Sequence, residues 1–179
     1  MFFTRVVISL VQFGLAVLMS GVVISLTYRI FVHANPDFDM QAEIEKGNVA
    51  VGTLMAAIVL SASMILQQGM SAVVSMVRLH LSAPGQTPFS VPQLLLIAAA
   101  HLTIALALAL MTISVTLRLF GRLARPLRAG KELERGNVAV GILLGAVVIV
   151  AALYVGDGVS ALSKALVPQP TMGRVQILK

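Results

Sequence analysis

Four polar side chains interrupt long apolar stretches of this sequence, and they are the residues best placed to do chemistry inside a membrane. They are Gln12, Gln68, His101 and Asp157. A charge inside a bilayer is costly and usually faces a partner or a water-filled cavity. Asp157 with His101 could therefore form a proton relay or line a cation path, with the glutamines as hydrogen-bonding groups. The alternative is structural: Asp157 lies at the wet interface, and His101 bonds a neighbouring helix.

A second candidate set belongs to a phrase that occurs twice, "EIEKGNVAVG" at 43–52 and "ELERGNVAVG" at 132–141. Each copy precedes a long apolar run, so we expect it to begin a helix, with an asparagine as the N-cap. Alternatively, a short interfacial helix begins near Asp39 and bends at Gly47. The motif residues are Glu43, Gly47 and Asn48 in the first copy and Glu132, Gly136 and Asn137 in the second.

The repeated phrase allows a structural and a functional interpretation. In the structural one it caps, anchors and packs two helices side by side. In the functional one the paired helix starts, with Lys46 and Arg135, bind an anion or a lipid phosphate. Four nearby glutamates count against an anion, so the structural interpretation is favoured.

Small residues follow each copy of the phrase at the same register. Gly52 and Ala56 form one small-xxx-small step, and Gly141 and Gly145 form the other. Such steps let helix backbones approach closely in lipid. We therefore expect all four residues to take part in helix packing.

A basic series follows the third apolar run. Its members, spaced three or four residues apart, are Arg118, Arg122, Arg125 and Arg128. Leucine and proline residues are interleaved with these charges at the predicted membrane surface. The pattern therefore indicates contact with anionic lipid headgroups rather than with nucleic acid.

The sequence does not combine an acid, a base and a nucleophile in any catalytic order. It contains no cysteine, which excludes disulfides, thiolate metal sites and thiol catalysis. The three histidines fall at different places along the predicted helices. We expect no enzyme activity, no cofactor and no metal site.

Composition indicates which kind of helix carries these residues. Of the 179 residues, 58% are hydrophobic and only 11% are charged, against about 25% charged in a soluble domain. A bilayer-spanning helix needs about 20 mostly apolar residues, and four runs meet that length. The sequence predicts an all-α, integral membrane four-helix bundle with spans at 6–28, 50–74, 92–117 and 138–162. The first span is expected to be a retained helix and not a signal peptide.

The two halves of the chain align at an offset of 89 residues. This predicts an internal duplication of a two-helix unit, with repeat 1 at 1–78, an outer loop at 79–91, repeat 2 at 92–166 and a polar tail at 167–179. Because each unit contains two spans, the repeats should be parallel and related by a pseudo-two-fold axis along the membrane normal.

Charge predicts the orientation. The loops at 29–49 and 118–137 hold eight of the 13 Lys and Arg residues, and the opposite side holds five. Basic residues concentrate in cytoplasmic loops. We therefore expect both loops in the cytoplasm and both termini outside.

Two acidic stretches, each followed by "GNVAVG", give the chain a family resemblance. It resembles the DUF350 family of small bacterial inner-membrane proteins, also labelled UPF0719, over about residues 5–165. The residues that carry the resemblance are Glu43, Gly47, Asn48 and Ala50 in one half and Glu132, Gly136, Asn137 and Ala139 in the other. The resemblance implies a bacterial inner-membrane location and a duplicated fold, and it implies no reaction.

Two functional hypotheses follow from the sequence. The first is an oligomeric membrane scaffold or accessory subunit, whose partners are the bilayer, anionic lipid headgroups, further copies of itself and other membrane proteins. The second is a channel- or transporter-like subunit that uses the four intramembrane polar residues. A protomer of four helices is small for a transporter, so the second hypothesis also requires an oligomer.

Overall fold

A computed structural model describes residues 2–33, 39–82 and 90–166. These residues form helices and no strand. The helices are α1 (Phe2–His33), α2 (Met40–Glu45), α3 (Val49–Ser82), α4 (Val91–Leu123), α5 (Ala129–Glu134) and α6 (Val138–Leu166), with a 3-10 turn at Arg125–Leu127 before α5. The predicted tail, most of the outer loop and part of the first connecting loop lie outside the described residues.

Four of the described helices are long and apolar enough to cross a membrane. Their apolar spans are Arg5–Phe31, Val49–Leu81, Val91–Leu123 and Val138–Leu162. The predicted all-α membrane bundle is therefore confirmed, and the chain is a multi-pass membrane protein. α3 extends eight residues beyond the predicted end at 74, because the next helix-breaking residues in the sequence are Pro84 and Gly85.

α3 lies at the centre of the bundle and packs against α1, α4 and α6. In its most apolar part, 56% of the residues are buried, against 11% in α1. The fully buried side chains include Val51, Ile58 and Ile65 of α3, Ile113 of α4 and Val148 of α6. α1 is thus a peripheral helix, most of which is exposed on the outside of the protomer.

α3 and α6 run parallel in close contact, and glycines of α6 make that contact possible. A Cβ on Gly141 would overlap the carbonyl of Ala50, and a Cβ on Gly145 would lie 2.9 Å from the Cβ of Ala57. Farther along, Gly156 packs beside Gln68. These pairs advance along both helices in the same direction, as the predicted parallel arrangement requires.

The small-residue step of the first half does not pack in this way. No described atom lies within 4 Å of a Cβ built on Gly52, and Ala56 is exposed. Of the two predicted packing steps, therefore, the one at Gly141 and Gly145 joins the helices of this chain. The contact also departs from the expected two-fold symmetry, because a true two-fold axis would place Gly52 against Ala139 just as Gly141 lies against Ala50.

Substituting alanine at equivalent glycines tests this asymmetry. We expect Gly141→Ala to lower the free energy of unfolding by about 1–3 kcal/mol, since the added methyl meets backbone that cannot yield easily. Gly52→Ala should instead leave the monomer as stable, or more stable by about 0.5–1 kcal/mol, through improved helix propensity. Thermal unfolding of monomeric protein in detergent measures both. Equal losses in the two variants would contradict the observed packing.

Candidate functional site

Each copy of the repeated phrase forms the same tight turn between a short helix and a long one. Gly47 and Gly136 adopt positive φ angles of 80° and 79°, which glycine accepts without strain. The amides of Asn48 and Asn137 donate to the carbonyls of Glu43 and Glu132, each at 2.9 Å. This is a Schellman ending, which satisfies the last carbonyls of α2 and α5. The short helix of the alternative prediction, beginning near Asp39 and ending before Gly47, is therefore present, and Asp39 caps it.

A glutamate side chain accepts two hydrogen bonds across each turn. The carboxylate of Glu43 accepts from Lys46 Nζ at 2.7 Å and from Asn48 Nδ2 at 2.9 Å. In the second copy Glu132 accepts from Arg135 at 3.0 Å and from Asn137 at 2.9 Å. Because both basic side chains of the phrase are already paired with carboxylates, these contacts favour the structural interpretation over the anion site.

The same hydrogen bonds shift the acid–base behaviour of the turn. The bond from Asn48, followed by the bond from Lys46, lowers the pKa of Glu43. The bond from Asn137, followed by that from Arg135, lowers the pKa of Glu132. Both carboxylates are therefore stabilised in the ionised form, and the closed turn is stabilised where they are ionised.

Asn48 has additional bonds that tie the two halves together. Its side-chain oxygen accepts from the amides of Ala50 and Val51 at 3.1 and 3.3 Å, so it caps α3. Its Nδ2 also donates to the carbonyl of Leu133 at 2.8 Å, which fastens the end of α5 to the start of α3. Among the described residues, Asn137 forms neither a side-chain cap of this kind nor a bond to the other half.

A cavity of about 780 Å³ opens beside these turns, at the end of the bundle that carries α2 and α5. We call this end the loop face. The walls of the cavity are apolar side chains from all six helices, among them Phe31, Met40, Leu54, Ile58, Leu117, Leu133 and Leu144. Its other lining residues include four cations and one carboxylate: Arg118, Arg122, Arg128, Lys131 and Glu134. The described lining of the cavity thus combines apolar walls with a net positive charge.

The basic series is only partly assembled at this cavity. All four arginines are exposed. Arg118 and Arg122 line the cavity from the last turns of α4, and Arg128 lines it from the N-cap of α5, whereas Arg125 does not line it. Arg128 has a left-handed backbone, with φ at 46°, which costs a non-glycine residue roughly 1–2 kcal/mol. It lies between the 3-10 turn and α5, as the C-cap of the one and the N-cap of the other.

The sequence matches the model of a known protein family. The model described as Domain of Unknown Function (DUF350) matches residues 3–159 and so includes both copies of the repeated phrase. The chain belongs to the DUF350 family. No curated protein and no solved structure matches this DUF350 protein.

The four intramembrane polar residues of this DUF350 protein occupy different environments. His101 is buried between helices, with 8% of its surface exposed. Gln68 is half-buried, and its side chain lies beside Gly156, next to Asp157 along the chain. Gln12 and Asp157 are exposed on the outside of the protomer. The structure therefore brings Gln68 to the Asp157 segment and does not enclose all four residues in one passage through the protomer.

Sequence reasoning missed Lys131 and the apolar walls of the DUF350 cavity. Leu54 and Ile58 look like ordinary core residues, because nothing in their spacing separates a cavity wall from a packed helix face. Lys131 carried a weak signal, since it follows the arginine series by one helical turn. Within the described residues, no three His, Asp or Glu side chains come together as metal ligands.

The two asparagines offer a matched test of the turn. Asn48→Ala should lower the free energy of unfolding by about 1–2 kcal/mol, because it removes a helix cap and the bond to Leu133. Asn137→Ala should cost less, since Asn137 supplies neither. Thermal unfolding in detergent compares them, and a larger loss for Asn137→Ala would show that the two turns have been assigned the wrong roles.

The lowered glutamate pKa values predict acid sensitivity. Ionised Glu43 and Glu132 contribute stability above the ordinary glutamate pKa of 4.5, and that contribution is lost as the pH falls through their lower folded values. The melting temperature of the wild type should therefore decline below about pH 4.5. A Glu43→Gln, Glu132→Gln variant should be less stable at pH 7 and less dependent on pH in this range. Parallel melting curves for the two proteins at all pH values would contradict this assignment.

Proposed function

We propose that this DUF350 protein is a small scaffold or accessory subunit of the bacterial inner membrane that binds anionic lipid headgroups and associates with copies of itself. The observation that carries the proposal is the cavity at the loop face, where cations and apolar walls lie together. The proposal assigns no catalysis to the chain, and other membrane proteins are its further partners.

The chemistry of the cavity fits a phospholipid. A headgroup phosphate can lie among Arg118, Arg122, Arg128 and Lys131, and the upper part of an acyl chain can pack on the apolar walls. Each basic residue near an anionic membrane surface contributes about 1 kcal/mol. Glu134, the one carboxylate among the described lining residues, offsets only part of this attraction.

In the proposed orientation, the cavity opens on the cytoplasmic side of the membrane. The predicted loops at 29–49 and 118–137 hold most of the basic residues, and the cytoplasmic leaflet is the one that attracts such residues. Because the chain contains no cysteine, a single cysteine placed at exposed Glu45 can be labelled from one side. Labelling in inverted membrane vesicles, but not in intact cells until they are permeabilised, would support the cytoplasmic side. Labelling in intact cells would contradict it.

Lipid binding can be tested with a control from the same arginine series. Arg118→Gln with Arg122→Gln should weaken binding of phosphatidylglycerol by roughly fivefold for each charge, from about 1 kcal/mol apiece. Arg125→Gln should change it much less, because Arg125 does not line the cavity. Native mass spectrometry, with phosphatidylcholine as the neutral reference, counts the bound lipids. An equal loss of lipid binding in all variants would show that binding depends on diffuse surface charge and not on the cavity.

Self-association is the second part of the proposal. The step at Gly52 and Ala56 lies open on the outside of the protomer, and such steps join helices in lipid. Light scattering or mass photometry of the protein in nanodiscs should give a mass above that of one chain of 18.9 kDa. A single-chain mass at all protein-to-lipid ratios would exclude self-association of the protein.

A channel- or transporter-like subunit is the alternative, and the exposed carboxylate of Asp157 favours it. An ionisable group on the outside of a membrane helix needs a partner or water, and His101 and Gln68 lie toward the same end of the bundle. Ion flux into liposomes should then be lost in Asp157→Asn. No flux under any ion gradient in the wild type would leave the scaffold as the better account.

A further inference from the structure

The contact between the two halves of the chain uses different residues on its two sides. Gly141 lies against Ala50, which is fully buried. The equivalent residues of the opposite pairing, Gly52 and Ala139, do not meet: Gly52 is open, and Ala139 is exposed. Each half therefore uses a different face in this contact, which is the definition of a heterologous interface.

The two faces can be defined by their residues. The A face belongs to the first half and contains Ala50, Ala57, Gln68 and Gly69. The B face belongs to the second half and contains Gly141, Gly145, Gly156 and Ala105. Gly69 completes the contact, because a Cβ there would lie 2.7 Å from the Cβ of Ala105.

Moving each face by the offset of 89 residues gives its counterpart in the other half. The A face of the second half consists of Ala139, Ala146, Asp157 and Gly158. The B face of the first half consists of Gly52, Ala56, Gln67 and Ala16. All eight are exposed or partly exposed, and no described atom lies within 4 Å of a Cβ built on Gly52 or on Gly158.

The burial of equivalent residues also differs between the two halves, and it shows that these faces are uncovered on the protomer. Ile65 beside the first A face is fully buried, while its counterpart Tyr154 is 76% exposed. Ser61 is fully buried, while its counterpart Val150 is 51% exposed. Each protomer thus carries one unused copy of both halves of an interface that it already forms internally.

We infer that the A face of the second half binds the B face of the first half in a second copy of this chain, so that the internal contact is repeated between molecules. This inference rests on the self-association proposed above and names its surface. The occupant is the same chain because five of the eight residues of the free faces are identical to those of the established contact. Ala56 replaces Gly145, so its methyl group requires the helices to lie slightly farther apart between molecules than within the chain.

Two polar groups gain partners in this arrangement. Gln68 lies beside Gly156 within the chain, so the matching contact places Asp157 of one molecule beside Gln67 of the next. Asn48 donates to the carbonyl of Leu133, so Asn137 would donate to the carbonyl of Ile44 in the neighbour. An amide donor next to an intramembrane carboxylate lowers the cost of burying it.

A heterologous contact continues from molecule to molecule, either as an open chain or until it closes into a ring. Each added copy covers one A face and exposes another. Because α3 and α6 are parallel within the chain, every copy keeps the same orientation in the membrane, and every loop-face cavity lies on the same side.

Cysteine cross-linking tests the inference directly, since the chain has no cysteine of its own. The contact between Gly145 and Ala57 maps onto Ala56 and Ala146, both exposed. Ala56→Cys and Ala146→Cys are made as two separately tagged proteins, mixed in nanodiscs and treated with a mild oxidant. We expect a disulfide dimer that carries both tags, and no dimer from either variant alone. The double variant should form a ladder of dimers and higher oligomers.

Two controls locate the contact. Ala161, exposed on the same helix, lies fifteen residues beyond Ala146, about 22 Å at 1.5 Å per residue. Ala56→Cys with Ala161→Cys should therefore not cross-link. Gly52→Leu added to Ala56→Cys should reduce cross-linking to Ala146→Cys severalfold, while the melting temperature of the monomer is not lowered because Gly52 is open there.

The cross-linking pattern and the oligomeric mass together separate the possible arrangements. A dimer of Ala56→Cys with itself, or of Ala146→Cys with itself, would show a two-fold interface and overturn the inference. An oligomeric mass without the mixed cross-link would overturn the inference and leave self-association standing. A single-chain mass in nanodiscs would overturn both. The mixed dimer, weakened by Gly52→Leu and absent with Ala161→Cys, would support the heterologous contact.

Discussion

The close approach of α3 and α6 is the constraint on which the rest of this structure depends. Lipid tails are as apolar as leucine side chains, so membrane helices gain little by hiding hydrophobic surface from lipid and associate through packing instead. Gly141 and Gly145 remove the side chains that would hold the helices apart, and Ala50 and Ala57 fill the space. That contact fixes the depth of both helix starts, brings α2 and α5 to one end and gives the basic cavity its walls.

The same phrase performs two different roles because its two copies have different neighbours. Locally they are alike: glycine with a positive φ, a Schellman ending and a glutamate that accepts from the following asparagine. Beyond the turn they diverge. Asn48 caps α3 and reaches across to Leu133, whereas Gly141 of the other copy provides the close helix contact. A duplicated sequence therefore forms two similar turns but two different helix interfaces, because the two copies contact different parts of the chain.

Much of the fold could be predicted from the sequence, and the reason is physical. Long charge-free runs have few alternatives to membrane helices, and Asp39, Gly47 and Gly136 mark the turns through their own conformational preferences. The sequence could not tell which small-residue step packs inside the chain, because both have the same spacing. Nor could it show that Arg125 lies outside the cavity while Lys131 lies within it, because that depends on the left-handed turn at Arg128. The exposure of Asp157 likewise depends on which face of α6 is covered.

The distance between Glu45 and Glu134 tests the central claim most directly. Both side chains are exposed at equivalent positions of the two turns, and spin labels there can be measured by pulsed electron paramagnetic resonance in nanodiscs diluted with unlabelled protein. Helices in contact have axes about 8–10 Å apart, so the parallel packing of α3 and α6 predicts label distances of roughly 10–25 Å. A main distance well above the bilayer core of about 30 Å would place the two turns on opposite sides of the membrane and contradict the account.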